Sequence, residues 1–367
     1  MKDNRELWKK TAKAMPLRRG MLSCLFLVLL LLSACGERQV VLTTGFGRDE
    51  ILRVEGLGCR QNELLVYIRN LRGRYEEAFG SGIWEAAAED VSLEKSLRQT
   101  AMARLSKIKL MNLMAGVYQV RLSAAEKKQA AAAASEYYGS LSEEEKEALG
   151  WISENGLEKM YEEYALAQRL YEELTVDVDT EVSDDEARII TLHRIVLYAV
   201  HEGEDGNVIE MPAEERHARA ESLRERIEGG EDFDTLAYDH SQEKEIGMSL
   251  AKGEADPAIE ECCFSLAEGE LSPVIDTEEG SYLFLCISTC DREQTEQRKA
   301  ILGKQRQRDA FEERYQEYIR DRDYYLNSEL LEQTGDGGAM IPAKANFFTV
   351  YESYFNRGQS GNDTEAF

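Results

Sequence analysis

Metal and redox motifs are missing from this chain of 367 residues: it contains no CxxC and no HExxH. A disulfide framework is missing as well. Of the seven cysteines, Cys24 and Cys35 lie in the N-terminal segment, which leaves five, an odd number. Cys286 and Cys290 fall in a stretch that reads as a strand, where residues four apart lie about 13 Å from each other, too far for a bridge. Cys262 and Cys263 are neighbours in a helical stretch and read as small buried side chains. No metal and no cofactor is therefore expected. Basic charge is scarce too, with 44 Lys and Arg against 70 Asp and Glu and a net charge of −26. No basic patch with interleaved aromatics offsets this, which excludes nucleic acid as a partner. A membrane-spanning run is also lacking near the N-terminus: the apolar stretch Met21 to Leu32 would rise only about 18 Å as a helix, short of the roughly 30 Å hydrocarbon core.

What the N-terminus does have is a sequence of signals in order. Lys2, Arg5, Lys9, Lys10, Lys13, Arg18 and Arg19 precede the apolar stretch, and Ser33, Ala34 and Cys35 follow it. Residues 1–34 are accordingly expected to be a secretory signal peptide. The ending Leu32-Ser33-Ala34-Cys35 resembles the lipobox of bacterial lipoproteins. That resemblance implies acylation of Cys35, which becomes the new N-terminus, and an extracytoplasmic chain lipid-anchored to the outer face of the bacterial cell membrane. One acyl chain holds a protein only marginally, and the two or three implied make a durable anchor. Loss of residues 1–34, with their seven basic and two acidic side chains, takes the net charge to −31. With 43% hydrophobic residues, the remainder can bury a large core and should divide into two or more units.

Residues 35–182 read as a mostly helical domain with short strands. Val40 to Phe46 and Glu50 to Val54 look like two strands around a glycine turn. Helical spacing follows in Leu64, Ile68, Leu71 and Tyr75, in Leu93, Leu97, Ala101, Leu105 and Ile108, and in Leu157, Met160, Tyr164, Ala167, Tyr171 and Leu174. Ser123 with Glu126, Ser142 with Glu145, and Ser183 with Glu186 have capping-box spacing, so each marks a helix start. From Ile189 the texture is mixed: a β-branched strand to Val200, a helix opened by Pro212, a short helix from Phe233, and strands at Leu271 to Thr277 and Ser281 to Thr289. Residues 291–331 read as one charged helix packing on the N-terminal domain. Residues 332–367 form a tail in which the aromatics of 346–355 suggest a docking segment. His201, His217 and His240 have no partner at useful spacing and read as surface residues.

Residues 189–290 carry the chemical argument. Thr191-Leu192-His193-Arg194-Ile195 is followed by Gly230-Glu231-Asp232-Phe233-Asp234-Thr235-Leu236-Ala237 with Ser241. Then come Phe264-Ser265-Leu266, Gly269-Glu270-Leu271-Ser272 and a closing pair of strands. In order and spacing this resembles the parvulin family of peptidyl-prolyl isomerases, and with the lipobox and helical flanks the layout is similar to foldases of the PrsA and SurA type. The fold class so implied is α+β: a helical SurA/PrsA-like chaperone domain plus a parvulin domain, a four-stranded antiparallel sheet with flanking helices. The family opens on a strand with a histidine before aliphatics and builds an apolar cup for proline over a floor of two histidines and an acidic residue or cysteine. Carried over, the floor falls on His193, Glu243 and Tyr282, with tyrosine in place of the second histidine. The cup falls on Leu250, Ala255, Ile259 and Phe264. Ala255 and Ile259 stand where the family has methionine and phenylalanine, so the cup is shallower. The resemblance implies a membrane-anchored isomerase that assists folding of newly exported, unfolded polypeptides. The same residues also suit a non-catalytic holdase with a degenerate isomerase domain, or a structural lipoprotein. The isomerase expectation rests on His193 and Tyr282 facing one cleft.

Overall fold

The computed structural model describes residues 45–86, 93–202, 208–335 and 346–355. The expected signal peptide, residues 1–34, and Cys35 lie outside the described residues. The chain forms two compact units, Met1–Arg169 with Tyr318–Phe367, and Leu170–Glu317. This is an α+β protein.

In the first unit, β1 (Glu50–Val54) and β2 (Leu57–Arg60) form a hairpin. Both turn residues, Glu55 and Gly56, have positive φ, the turn geometry that matches the twist of antiparallel strands. The hairpin therefore lies after the predicted Val40–Phe46 strand, most of which is outside the described residues. The helices follow as α1 (Gln61–Phe79), α2 (Ile83–Ala86), α3 (Leu93–Val117), α4 (Ala124–Ser140), α5 (Glu143–Ala148) and α6 (Glu154–Thr175). Ser123–Glu126 and Ser142–Glu145 both close the expected capping boxes at α4 and α5. Apolar faces pack Leu64, Ile68, Leu97, Leu105, Met111, Leu157 and Met160 into the core. Within it Lys109 of α3 is fully buried, its ammonium 2.5 Å from both Glu63 of α1 and Glu163 of α6. Burial pulls the Lys109 pKa down, but the two carboxylates outweigh it and the net shift is upward. Removing the lysine would strand two carboxylates, a loss of about 3–5 kcal/mol in comparable sites.

The second unit opens on α7 (Asp184–Ala187), where Ser183 accepts from the Glu186 amide. It continues through β3 (Ile189–Tyr198), the hairpin β4 (Val200–Glu202) and β5 (Val208–Glu210), α8 (Ala213–Glu228), α9 (Phe233–His240), β6 (Gly247–Ala251), α10 (Pro257–Cys263), β7 (Ile275–Asp276), β8 (Gly280–Ser288) and α11 (Arg292–Ile319). Its sheet has the order β6-β3-β8-β7, antiparallel throughout. Gly280 begins β8 because a Cβ there would lie 2.8 Å from the Leu197 carbonyl oxygen of the neighbouring strand.

Three expectations need correction. Leu250, expected in the proline cup, lies in the strand Gly247–Ala251, whose backbone is satisfied by pairing with β3. The predicted strand Leu271–Thr277 shrinks to Ile275–Asp276 plus a single bridge from Leu271 to Leu285, since Pro273 interrupts the ladder. The single helix expected over 291–331 ends at Ile319. After it the chain makes β9 (Tyr324–Leu326), which pairs with β1, then α12 (Ser328–Gln333) and α13 (Phe347–Phe355).

Candidate active site

Side chains alternate between the two faces of a strand, and in this sheet the two faces have different occupants. On one face Leu192 and Val196 of β3, Leu250 of β6, and Tyr282, Phe284 and Cys286 of β8 form a core cluster with Cys263 and Leu266. Met248, Ala255, Ile259 and Phe264 pack against it half-buried. On the other, Ile195 and Leu283 pack with Leu223 of α8 and with Phe233, Leu236 and Ala237 of α9.

His193 belongs to the second face. It lies opposite Leu285, and its Nδ1 is 2.5 Å from Asp234 Oδ1 at the start of α9. Tyr282 lies opposite Val196, in the first cluster. The two side chains expected to share a cleft therefore stand on opposite faces of the sheet. The reason is register. A shift of one residue along a strand moves every side chain to the other face, and β3 is buried on both, so its sequence shows no alternation from which to fix the phase. The residue on the cleft face is Arg194. It too is followed by aliphatics, Ile195, Val196 and Leu197, so the family's histidine position fits Arg194 as well as it fits His193.

A polar group assembles around Arg194. Ser241 ties the segment after α9 to β3, its hydroxyl accepting from the amides of Val196 at 3.1 Å and Glu243 at 3.2 Å. The Gln242 amide donates to the Val196 carbonyl, and its side-chain oxygen accepts from the Tyr198 amide. These bonds set the Glu243 carboxylate over the sheet, where it accepts from the Tyr198 hydroxyl at 3.0 Å and lies 3.7 Å from Arg194 Nη2. Arg194 Nε donates to the Glu245 carbonyl at 3.1 Å, and a guanidinium holds five N–H groups, so donors are left for a ligand. The Arg194 and Glu243 side chains keep 23% and 32% of their surface exposed, which leaves the group open to substrate. Tyr282 is largely buried, its ring parallel to that of Phe284 at 6.1 Å. Burial pushes its phenol pKa up. Burial and the bond to Glu243 do the same for Tyr198.

The expected cup residues divide. Ala255 and Ile259 are half-buried at and beside α10, against the cleft-face cluster. Phe264 joins them, with the Arg188 guanidinium 4.9 Å over its ring. Leu250 is different: it is 4% exposed and pairs with Ile190, six residues along β3 from Val196, a separation of about 20 Å. It is core, and Met248, half-buried opposite Leu192, is the β6 residue nearer the polar group. Sequence reasoning missed Arg194, Tyr198 and Met248. The missing signal was the pairing of β3 with β8. Among the other histidines, His217 Nδ1 lies 2.7 Å from Asp276 Oδ2, Arg226 donates to His240, and His201 is half-buried. Cys263 is buried in the cleft-face cluster, where burial first, then Cys262 and Cys286, push its thiol pKa to about 12. Among the described residues no group of three or more His, Cys, Asp or Glu is arranged to hold a metal ion.

Residues 197–288 match the family model described as Rotamase, the PPIC-type PPIase domain. No curated protein matches the chain. Among solved structures, the peptidylprolyl isomerase PrsA of Bacillus cereus is 16% identical, with 71% of this chain and 91% of that one covered, at a TM-score of 0.36. The foldase PrsA of Streptococcus pneumoniae is 15% identical, covering 82% and 99%, at 0.29. A chain from the structures of the SurA-like chaperones PEB4 and Cj1289 of Campylobacter jejuni is 12% identical, covering 76% and 99%, at 0.28. The match to a family is confined to residues 197–288.

Proposed function

We propose, from the premise that residues 197–288 are a PPIC-type peptidyl-prolyl isomerase domain, that this chain is a foldase. It rotates X-Pro peptide bonds in newly exported polypeptides while acyl chains on Cys35 hold it at the outer face of the cell membrane. The observation that carries the reading is the polar group of Arg194, Tyr198 and Glu243 on the same sheet face as Tyr282 and the half-buried apolar side chains of Met248, Ala255 and Ile259.

The uncatalysed bond turns over a barrier of about 18–20 kcal/mol and takes tens of seconds. Twisting the amide ends its conjugation: charge leaves the carbonyl oxygen and a lone pair returns to nitrogen. A planar amide has the larger dipole, so a dry apolar cup around the proline ring disfavours the ground state more than the twisted one. Fixed polar groups then steady the twisted amide without reorganising. Arg194 is the group to donate to the prolyl nitrogen, whose returned lone pair accepts a hydrogen bond only in the twisted state, and Glu243 positions Arg194 and Tyr198. Tyr282 places a neutral phenol beside the cup.

A protease-coupled isomerisation assay on residues 36–367 tests this: the expected result is a rate above the spontaneous one. No enhancement, together with suppressed aggregation of an unfolded protein, would instead support a non-catalytic holdase. That second reading is supported by the residues themselves, since on the register taken here Arg194 and Tyr282 stand where the family has its two histidines. For the anchor, Cys35→Ser should release the protein from the membrane fraction or leave an unprocessed precursor. Unchanged fractionation would contradict the lipid attachment.

A further inference from the structure

The charges around the cleft do not balance. Arg194 is matched by Glu243, 3.7 Å from its Nη2, and two further carboxylates stand at the ends of neighbouring elements. Asp256 caps α10, its Oδ1 accepting from the Ala258 amide at 2.9 Å, directly after the cleft residue Ala255. Glu279 precedes the first residue of β8, and its carbonyl accepts from the Ala199 amide at 2.7 Å, one residue beyond Tyr198. Both residues are exposed, and among the described residues neither is in an ion pair.

The fields of these carboxylates reach the cleft floor. Burial raises the Tyr282 phenol pKa and a bond to Thr277 lowers it, while Glu279 and then Asp256 add to the rise and Arg194 opposes them. Neighbouring cations do not cancel the excess. Lys244 is flanked by Glu243 and Glu245. Arg216 of α8 is buried with its guanidinium on the Met211 and Thr277 carbonyls, and the exposed Glu278 beside Glu279 offsets its charge. A cleft lined by an excess of one sign concentrates groups of the other.

We propose that the cleft selects prolyl bonds by charge: Asp256 and Glu279 are specificity-determining residues that favour a lysine or arginine next to the proline and disfavour an acidic side chain there. The inference rests on the isomerase reading and names its substrate class, basic segments of polypeptide. Arg194 does not reverse the preference, because Glu243 already neutralises it. Exposed carboxylates act through a screened field and not through a fixed ion pair, so the choice is broad, accepts either cation, and weakens with salt. Discrimination comes as much from rejecting the acidic neighbour as from attracting the basic one.

Three peptides carrying lysine, alanine or glutamate on both sides of one proline provide the test. NMR exchange on the full chain gives the catalysed rate for each, and fluorescence anisotropy of labelled copies gives the affinity. In low salt the lysine peptide is expected to exceed the glutamate peptide about tenfold in both readouts, and the ratio should drop to about threefold at about 0.5 M salt. Asp256→Asn keeps an acceptor for the Ala258 amide, so α10 stays capped. Combined with Glu279→Gln, it should bring the low-salt ratio to about twofold. A merely structural role would lower all three peptides together and leave the ratio in place. Equal or undetectable binding of the lysine and glutamate peptides, a preference for glutamate, or a ratio that the double variant does not move would overturn the proposal. Ranked binding without catalysis of any peptide would contradict the isomerase reading alone.

Discussion

The two faces of the four-stranded sheet are made from the same two strands, yet one is closed and the other is open. The helix-covered face sets Ile195 and Leu283 against α8 and α9, with Leu283 completely inaccessible, and its polar pairs, His193 with Asp234 at the start of α9 and His217 of α8 with Asp276 of β7, lie between sheet and helices. The cleft face sets Arg194 and Tyr198 beside Glu243, with Tyr282 and the half-buried Met248, Ala255 and Ile259 on the same face. Packing alone explains the first face. The second leaves an ion pair partly in solvent beside apolar side chains, an arrangement that stability does not demand. Chemistry is assigned to a face, and the face is decided by register.

Leu283→Ala should break the closed face most severely. It removes a fully buried side chain between sheet and helices, and comparable truncations cost about 2–5 kcal/mol. Chemical denaturation should show the loss as a lower midpoint. On the open face, Arg194→His combined with Tyr282→His would, on the proposed register, place imidazoles where the family has them. An isomerisation rate several-fold above the parent is expected, with a melting temperature within a few degrees of it. If the pair lowers activity, the register that equates Arg194 with the family's first histidine is wrong.

A smaller effect sharpens the contrast through pH. The Tyr282 phenol is raised by burial, and that of Tyr198 by burial and its bond to Glu243. A raised phenol pKa keeps the proton in place as pH climbs, so both stay neutral beyond the ordinary value of about 10. The isomerisation rate should hence show no loss between about pH 7 and pH 9.5. A fall centred in that interval would mean that another group controls the cleft.

How much of this was legible in the sequence differs by feature. The capping serines at 123 and 142 announced their helices, because a cap is local chemistry. The strands bearing His193 and Tyr282 were legible as elements, and Glu243, carried over with the floor, stands beside Arg194 and Tyr198. The face of β3 was not legible: with Ile190 and Ile195 both buried on opposite sides, its pattern lacks alternation. Leu250 was assigned to the cup for a similar reason, since a leucine near a glycine reads alike in a loop and in a core strand. Only its pairing with Ile190 removes it from the cleft. The buried Lys109 with its two carboxylates was likewise invisible, because its partners lie 46 and 54 residues away on other helices.

The most direct measurement compares Arg194→Ala with His193→Ala in the same isomerisation assay, each checked for folding by circular dichroism. If the cleft face does the chemistry, Arg194→Ala should lower the catalysed rate by about tenfold, the equivalent of about 1.4 kcal/mol, while His193→Ala changes it by less than about twofold and costs at most about 1 kcal/mol of stability. The reverse ranking, with His193→Ala silencing a folded enzyme and Arg194→Ala leaving it intact, would contradict the account.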